Sequence, residues 1–283
     1  MVTVNQLSTN LKAMFKENKV ENYIFETRCI LEHALQLNHS NLIASLDMQL
    51  SETQVETIRK MAHKRLSGYP LQYILGEWEF FGLPFYVGEG VLIPRQDTET
   101  LVECVLEKTK LMIKPHIADL CSGSGCIAIA LEQNLHNADI CAVEYSDKAL
   151  SYLVRNIELN ASSVTAYKGN VLSSDFSACF SGLDIITANP PYLTAEDMTK
   201  LQKEVSFEPE MALIGGEDGM LFYRTITSYW KHSLKINGMI FYEIGIHQEN
   251  EVSDILIYNG FTDIQFYKDL NGIIRVVSGV YKP

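Results

Sequence analysis

The segment Asn189–Tyr192 reads Asn-Pro-Pro-Tyr and directly follows the apolar run Leu183–Ala188. An asparagine side-chain oxygen and a backbone carbonyl can together accept both hydrogens of an amide or amino nitrogen. The prolines fix the backbone φ and so the direction of these acceptors, and the tyrosine ring offers a flat face. The motif therefore predicts chemistry on a planar amide or exocyclic amine rather than hydride transfer. Taken alone, Asn-Pro-Pro is also compatible with a rigid surface turn.

A second segment, Asp119–Gly125, predicts where a cofactor binds. It reads Asp-Leu-Cys-Ser-Gly-Ser-Gly and separates an apolar run from a helical segment. Glycines let the backbone approach a ligand closely, and the N–H groups that open a helix favour an anionic group. Glu144 stands 21 residues after Gly123, a spacing at which an acid accepts hydrogen bonds from ribose hydroxyls. Together these features predict a nucleoside-containing cofactor, although a plain turn and an exposed strand-end carboxylate would explain each separately.

The elements that position these residues follow a βαβ rhythm. The pattern predicts an α/β fold with a Rossmann-like, mostly parallel sheet and helices on both faces. In such sheets ligands bind beyond the carboxyl ends of the strands, so both segments should face one crevice. Asn271-Gly272 predicts a hairpin and an antiparallel last strand. The predicted strands are Ile117–Cys121, Asp139–Glu144, Val164–Lys168, Leu183–Ala188 and Met239–Ile244, and the predicted helices lie near Cys126–Leu135, Asp147–Asn160 and Leu221–Ile236.

The preceding part of the chain has a different pattern. Residues 1–75 carry apolar residues at helical spacing, and Ser51 with Gln54 predicts a capping box, so we expect a small all-α domain. Aromatic-rich runs on both sides of Gly82 predict a β-hairpin connector over residues 76–95. The cofactor domain then covers residues 96–283. Within it, Asp97–Glu99 is predicted to cap a helix over Leu101–Lys110.

Composition narrows the class of partner. The 283 residues carry a net charge of −12, which divides into eight basic and seven acidic residues over 1–75 and 15 basic and 28 acidic residues over 76–283. An acidic surface repels a phosphate backbone, so we expect a protein or small-molecule partner and no direct nucleic acid. The densest apolar run, Cys126–Leu131, is far shorter than the ~20 residues that cross a bilayer, so no membrane is expected. Six cysteines without zinc-site spacing predict free thiols in the cytoplasm and no metal.

The combination of glycine loop, strand-end acid and Asn-Pro-Pro-Tyr resembles the class I S-adenosylmethionine-dependent methyltransferases that act on amide or exocyclic amino nitrogen. More segments extend the resemblance to the PrmC/HemK family, the release factor glutamine N5-methyltransferases, over roughly residues 65–283. These segments are residues 68–76, 79–85, 91–95, 99–101, 207–209, 215–219 and 268–270. The resemblance implies a class I methyltransferase fold preceded by a small all-α domain that recognises the substrate or, alternatively, only stabilises the fold.

The resemblance also implies an activity and a site. The enzyme would transfer a methyl group from S-adenosyl-L-methionine to N5 of the glutamine in the Gly-Gly-Gln motif of class I peptide chain release factors, with S-adenosyl-L-homocysteine as product. The implied catalytic residues are Asn189, Pro190 and Tyr192, and Pro191 joins them in binding the substrate. The implied cofactor-binding residues are Asp119, Cys121, Ser122, Gly123, Ser124, Gly125, Glu144, Asn170, Val171 and Asn189.

Several other functions stay open at this point. A glutamine methyltransferase of a ribosomal protein would share the chemistry and change only the docking surface. An adenine-N6 nucleic-acid methyltransferase could use the same four residues on a flipped base, although the acidic cofactor domain disfavours it. An NAD-dependent oxidoreductase would explain the glycines and Glu144 but not Asn189–Tyr192. A non-catalytic binding module would not bind S-adenosylmethionine.

Overall fold

A computed structural model describes residues 2–283 and divides the chain into two compact units. The first, which we call the helical unit, runs to Glu77 and also includes Gln202–Phe207. The second, the sheet unit, comprises Trp78–Leu201 and Glu208–Pro283. The division into residues 1–75, 76–95 and 96–283 remains a prediction. It did not assign residues 202–207 to the helical unit.

The helical unit packs its helices around buried apolar side chains, among them Leu7, Phe15, Ile30 and Ile58. The predicted capping box is present, because the Ser51 hydroxyl accepts from the backbone N–H of Gln54 and the Gln54 side chain accepts from that of Ser51. A short antiparallel strand pair, β1 and β2, was not predicted. The elements are β1 Val2–Thr3, α1 Val4–Glu17, α2 Tyr23–Leu35, α3 His39–Ala44, β2 Gln49–Leu50, α4 Glu52–Leu66 and α5 Leu71–Leu75.

A two-stranded hairpin begins at the boundary residue Glu77, and alternating strands and helices follow it in the sheet unit. The elements are β3 Glu77–Phe80, β4 Leu83–Tyr86, α6 Glu99–Thr109, β5 His116–Leu120, α7 Cys126–Asn134, β6 Asp139–Glu144, α8 Asp147–Leu159, β7 Thr165–Lys168, α9 Ser174–Ser177, β8 Leu183–Ala188, α10 Ala195–Met198, α11 Leu221–Trp230, β9 Leu234–Glu243, α12 Glu249–Tyr258, β10 Phe261–Lys268 and β11 Ile274–Tyr281. Short 3-10 turns lie at Gln96–Thr98, Lys203–Phe207, Glu210–Ala212 and Lys231–Ser233.

The main sheet confirms the predicted fold class. Its strand order is β10-β11-β9-β8-β5-β6-β7, with β9, β8, β5, β6 and β7 parallel. Strand β11 runs antiparallel to both β9 and β10. Consecutive residues such as Ile185 and Ile186 enter separate apolar clusters, as the two faces of a pleated strand require. The order of strands reverses between β5 and β8, which is where such sheets bind ligands.

Three local predictions differ from the structure. The helix predicted to reach Ile236 ends at Trp230, and β9 begins at Leu234. Trp230 is fully buried and donates its indole N–H to the carbonyl of Val171, so tertiary packing ends the helix before the apolar periodicity does. The helix Glu249–Tyr258 was not predicted. In the described chain Thr98 makes no side-chain cap for α6, which is preceded by a 3-10 turn instead.

Candidate active site

A cavity of about 360 Å³ lies at the carboxyl ends of β5, β6 and β8, within the usual range for small-molecule sites of roughly 300–1,000 Å³. Many of the predicted site residues line it: Cys121, Ser122, Gly123, Ser124, Glu144, Asn170, Val171, Asn189 and Pro191. Others lie outside its lining: Asp119, Gly125, Pro190 and Tyr192. The roles assigned to all of these residues remain predictions.

The loop between β5 and α7 needs glycine at two positions with positive φ. Gly125 has a φ of +84°, and a Cβ there would stand 2.3 Å from Cδ1 of Leu153. Gly123 has a φ of +55°, and a Cβ there would meet no atom of the described chain within 4 Å. Cys121 also has positive φ, 59°, where a side chain costs about 1–2 kcal/mol. The loop is therefore a strained turn with open space beside Gly123.

The Glu144 carboxylate is held against this loop. Its Oε2 accepts from the backbone N–H of Gly123 at 2.8 Å, and its Oε1 accepts from those of Tyr145 and Ser146 at 2.8 and 2.7 Å. Burial raises the pKa of Glu144, and the three backbone hydrogen bonds oppose that rise. A carboxylate oxygen can accept two hydrogen bonds, so Oε2 keeps capacity for one more donor. A ribose hydroxyl could donate to this free position on Oε2. Val171 and Phe222 are apolar residues that line the same cavity.

Asp119 lies beneath the loop rather than on the cavity wall. It is fully buried, and the hydroxyl of Thr187 on β8 donates to its Oδ1 at 2.8 Å. The Ser122 hydroxyl donates to the Asp119 backbone carbonyl at 2.7 Å. Burial raises the pKa of Asp119 to about 7. Asp119 is therefore better placed to hold the loop against β8 than to contact a ligand directly.

Asn189 stands beside the glycine loop because β5 and β8 pair, with Leu120 opposite Ala188. Its Nδ2 donates to the hydroxyl of Thr98 at 3.4 Å. This orientation turns Oδ1 away from Thr98. Asn189 therefore presents an acceptor at the end of β8, which is the chemistry expected for holding a nitrogen that carries hydrogens.

The backbone after Asn189 is fixed by its neighbours. The amide nitrogen of Gln248 donates to the carbonyl of Tyr192 at 3.0 Å. A Cβ on Gly215 would stand 2.5 Å from the carbonyl oxygen of Pro191, and one on Gly219 would stand 2.4 Å from that of Tyr192, so both glycines permit close backbone approach. Burial raises the pKa of Tyr192 well above its ordinary value, which keeps the hydroxyl protonated at neutral pH.

Sequence reasoning assigned no role to Glu208, Gln248, Glu243 or, at the site, Thr98. Glu208 is buried, and its carboxylate accepts from the backbone N–H of Ile93 at 3.0 Å and pairs with Arg95, which fixes part of the cavity wall. Glu243 is the last residue of β9, and the residues that precede it in the strand, Met239–Tyr242, are mostly apolar. A charged residue in a buried run is a signal that could have marked Glu243 in advance.

Comparison with known proteins gives two family matches. Residues 6–76 match the model described as PrmC N-terminal domain, and residues 96–212 match the methyltransferase small domain. A release factor glutamine methyltransferase from Thermodesulfovibrio yellowstonii is 40% identical over 264 residues, covering 92% of this chain and 93% of that protein. One from Geobacter sulfurreducens is 38% identical over 281 residues, covering 98% and 96%. The crystal structure of a methyltransferase from Pyrococcus furiosus shares the fold, with a TM-score of 0.54 at 16% identity, covering 81% of this chain and 98% of that one.

Proposed function

Because the chain belongs to the release factor glutamine methyltransferase family, we propose that it methylates the side-chain amide nitrogen of the glutamine in the Gly-Gly-Gln motif of class I peptide chain release factors. The observation that carries the proposal is the position of Asn189 on the cavity wall beside the glycine loop, with its amide nitrogen bound to Thr98. The partner is then a protein, without direct nucleic-acid or membrane contact. A cytoplasmic location belongs to the same proposal. Among residues 2–283, no helix has both the length and the apolar character that a membrane crossing needs.

The cavity suits S-adenosyl-L-methionine, since Glu144 can accept a hydrogen bond from a ribose hydroxyl and apolar side chains line the walls nearby. The loop containing Gly123 and Ser124 and the free acceptor position of Glu144 would hold it, with Asn170 and Val171 beside the adenine. The cofactor supplies an electrophilic sulfonium methyl group, and S-adenosyl-L-homocysteine would be the product.

An amide nitrogen is a poor nucleophile, because its lone pair is delocalised into the carbonyl. The protein must therefore orient that nitrogen and favour the positive charge that develops on it. The Oδ1 of Asn189 and the carbonyl of Pro190 would accept its two hydrogens, and Tyr192 would pack on the amide plane. Of these three residues only Asn189 lines the cavity, so the substrate amide would lie at the edge of the cavity. Positioning and correctly aimed acceptors are then the main source of the rate.

The substrate class is tested by offering the wild-type protein several acceptors separately. A radiolabelled methyl donor is incubated with a purified release factor, the same factor with its Gly-Gly-Gln glutamine replaced by alanine, ribosomal proteins, and DNA. We expect label in the intact release factor and none in its alanine variant. Label in ribosomal protein alone would move the assignment to another protein substrate, and label in nucleic acid alone would refute it.

The role of Asn189 is tested by Asn189→Ala. Removal of one positioned hydrogen-bonding group from a reaction centre typically costs about 10²–10³ in kcat. We expect a loss of that size while S-adenosylmethionine still binds in a calorimetric titration. Asn134→Ala is the matched control, because Asn134 ends α7, its side chain donates to the carbonyl of Ala130 at 2.8 Å, and it does not line the cavity. Wild-type turnover by Asn189→Ala would contradict the assignment.

A further inference from the structure

Three side chains make up a chain of polar contacts beside the cavity, and two of them, Asn189 and Thr98, line it. Asn189, which lines the cavity, donates through Nδ2 to the Thr98 hydroxyl at 3.4 Å. The Thr98 hydroxyl in turn acts on the carboxyl group of Glu243, the last residue of β9, and lowers the pKa of that carboxyl group. Thr98 is 2% exposed and Glu243 is 3% exposed, so bulk water does not compete for these bonds.

The direction of each bond in this chain follows from proton counting. An ionised carboxylate only accepts hydrogen bonds, and a hydroxyl carries a single proton. With Glu243 ionised, donation of the Thr98 proton to that carboxylate leaves Thr98 able only to accept from Asn189. The group of Asn189 that faces Thr98 must then be Nδ2, which leaves Oδ1 for the cavity.

We propose that Glu243 and Thr98 are positioning residues that fix the Asn189 amide with its oxygen toward the substrate. The inference rests on the proposed function, in which Asn189 Oδ1 accepts a hydrogen from the substrate amide. If the Asn189 amide were reversed, Nδ2 would meet the N–H groups of the substrate and no hydrogen bond could form. The chain therefore selects the one amide orientation that binds a nitrogen donor.

The protonation state of Glu243 gives this arrangement a pH dependence. Burial raises the pKa of Glu243 to about 7, against the lowering effects of Thr98 and of the Arg275 charge. Its Oε2 has no hydrogen-bond partner among the described residues, which makes the buried charge costly. A protonated Glu243 can donate to Thr98, which frees the Thr98 proton for Asn189 Oδ1 and reverses the amide. Turnover should therefore rise as the pH rises through this pKa.

Several other groups act electrostatically on Glu243 or are acted on by it. They are Arg275 on β11, Arg95 and Asp97 before α6, Tyr192 after β8, Tyr223 on α11 and Cys126 on α7. Burial raises the pKa values of both tyrosines well above the ordinary range and that of Cys126 to about 12. Asp119 also has a pKa raised to about 7, so replacing Glu243 itself is needed to separate the two carboxyl groups.

The proposal is tested with Thr98→Val, Thr98→Ser and Glu243→Gln in the full chain. Residues that orient a metal ligand through a hydrogen bond typically contribute about 10–100-fold to activity, and we expect a comparable effect for a residue that orients Asn189. We expect Thr98→Val to lower kcat by that factor with little change in KM for the release factor, and Thr98→Ser to restore most of the loss. Glu243→Gln should remove the rise of activity with pH near 7. The control is Thr109→Val at the end of α6, because the Thr109 hydroxyl donates to the carbonyl of Val105 at 2.8 Å and Thr109 does not line the cavity.

A second readout does not depend on turnover. The ¹⁵N NMR signal of the Asn189 side-chain amide should titrate with a midpoint near that of Glu243 in the wild type and stay flat in Glu243→Gln. If the wild type methylates no release factor, the proposed function fails, and the NMR titration still decides the orientation. Thr98→Val turnover equal to that of Thr109→Val, or an Asn189 signal that ignores Glu243, would overturn the inference.

Discussion

Alanine at the two glycines of the loop between β5 and α7 should have different main effects. At Gly125 it should mainly lower stability, and at Gly123 it should mainly weaken cofactor binding. Gly123 and Gly125 both have positive φ, so alanine costs about 1–2 kcal/mol at either position through backbone conformation. Their surroundings differ. A Cβ at Gly125 would stand 2.3 Å from Cδ1 of Leu153 and 3.2 Å from Cδ1 of Ile129, and both of these side chains are fully buried. A Cβ at Gly123 would meet no atom of the described chain within 4 Å.

The magnitudes follow from these contacts. Forcing an extra methyl into a packed core costs about 1–3 kcal/mol, because neighbouring side chains must leave their preferred rotamers. Gly125→Ala should therefore destabilise the sheet unit by about 2–5 kcal/mol and Gly123→Ala by about 1–2 kcal/mol. Binding should show the reverse order. Gly123 lines the cavity, so its added methyl occupies ligand space, whereas Gly125 lies outside the lining.

Urea denaturation followed by tryptophan fluorescence measures the stability difference. The protein has two tryptophans, Trp78 and Trp230, and both belong to the sheet unit, so the signal reports that unit and not the helical one. Calorimetric titration with S-adenosylmethionine measures the binding difference. Equal stability of the two variants would refute the packing argument. Wild-type affinity in Gly123→Ala would refute the placement of the cofactor beside this loop.

Two more predictions concern buried charge. Arg65→Met should destabilise the helical unit by roughly 3–5 kcal/mol, because it leaves the buried Glu26 without the guanidinium that donates to it at 2.5 and 3.1 Å. Arg65→Met combined with Glu26→Leu should recover much of that loss, as measured by thermal unfolding under far-UV circular dichroism; a double variant no more stable than the single one would contradict this. The pKa of Asp119 is raised from 3.8 to about 7, so the folded state binds more protons than the unfolded state in that range and stability falls as the pH rises through it. Between pH 3.8 and about 7, the urea midpoint of Asp119→Asn should fall less than that of the wild type, and Glu243 should account for the fall that is left. An equal fall in the two proteins would contradict the raised pKa of Asp119.

The glycine loop, Glu144 and Asn189 could be predicted because their signals are local. Each combines a residue type with a position at the end of an apolar run. The rule that parallel strands present their carboxyl ends to one crevice then brings the three together, although Gly123 and Asn189 are far apart in the sequence. The pairing of β5 with β8 confirms this part of the reasoning.

The supporting residues could not be predicted because their partners lie far along the chain. Thr98 and Asn189 are separated by 91 positions, and Ile93 and Glu208 by 115. Seen locally, Thr98 stands before a helix and favours a cap, which is how the sequence was interpreted. In the structure its hydroxyl accepts from Asn189, which follows β8, and lowers the pKa of Glu243 at the end of β9, so tertiary contacts override the local preference.

The domain boundaries show the same limit on a larger scale. A division into contiguous ranges cannot place Gln202–Phe207 in the helical unit. There Glu204 pairs with Arg65 at 2.8 Å, and the rings of Phe207 and Tyr69 lie 5.2 Å apart. A truncated chain of residues 78–283 would lack Arg65 and Tyr69, the partners of residues 202–207. Residues 202–207 connect the loop after Tyr192 to Glu208. Loss of activity in such a truncation would therefore not distinguish substrate recognition by the helical unit from disorder at the site. Point variants of the intact chain separate those two roles.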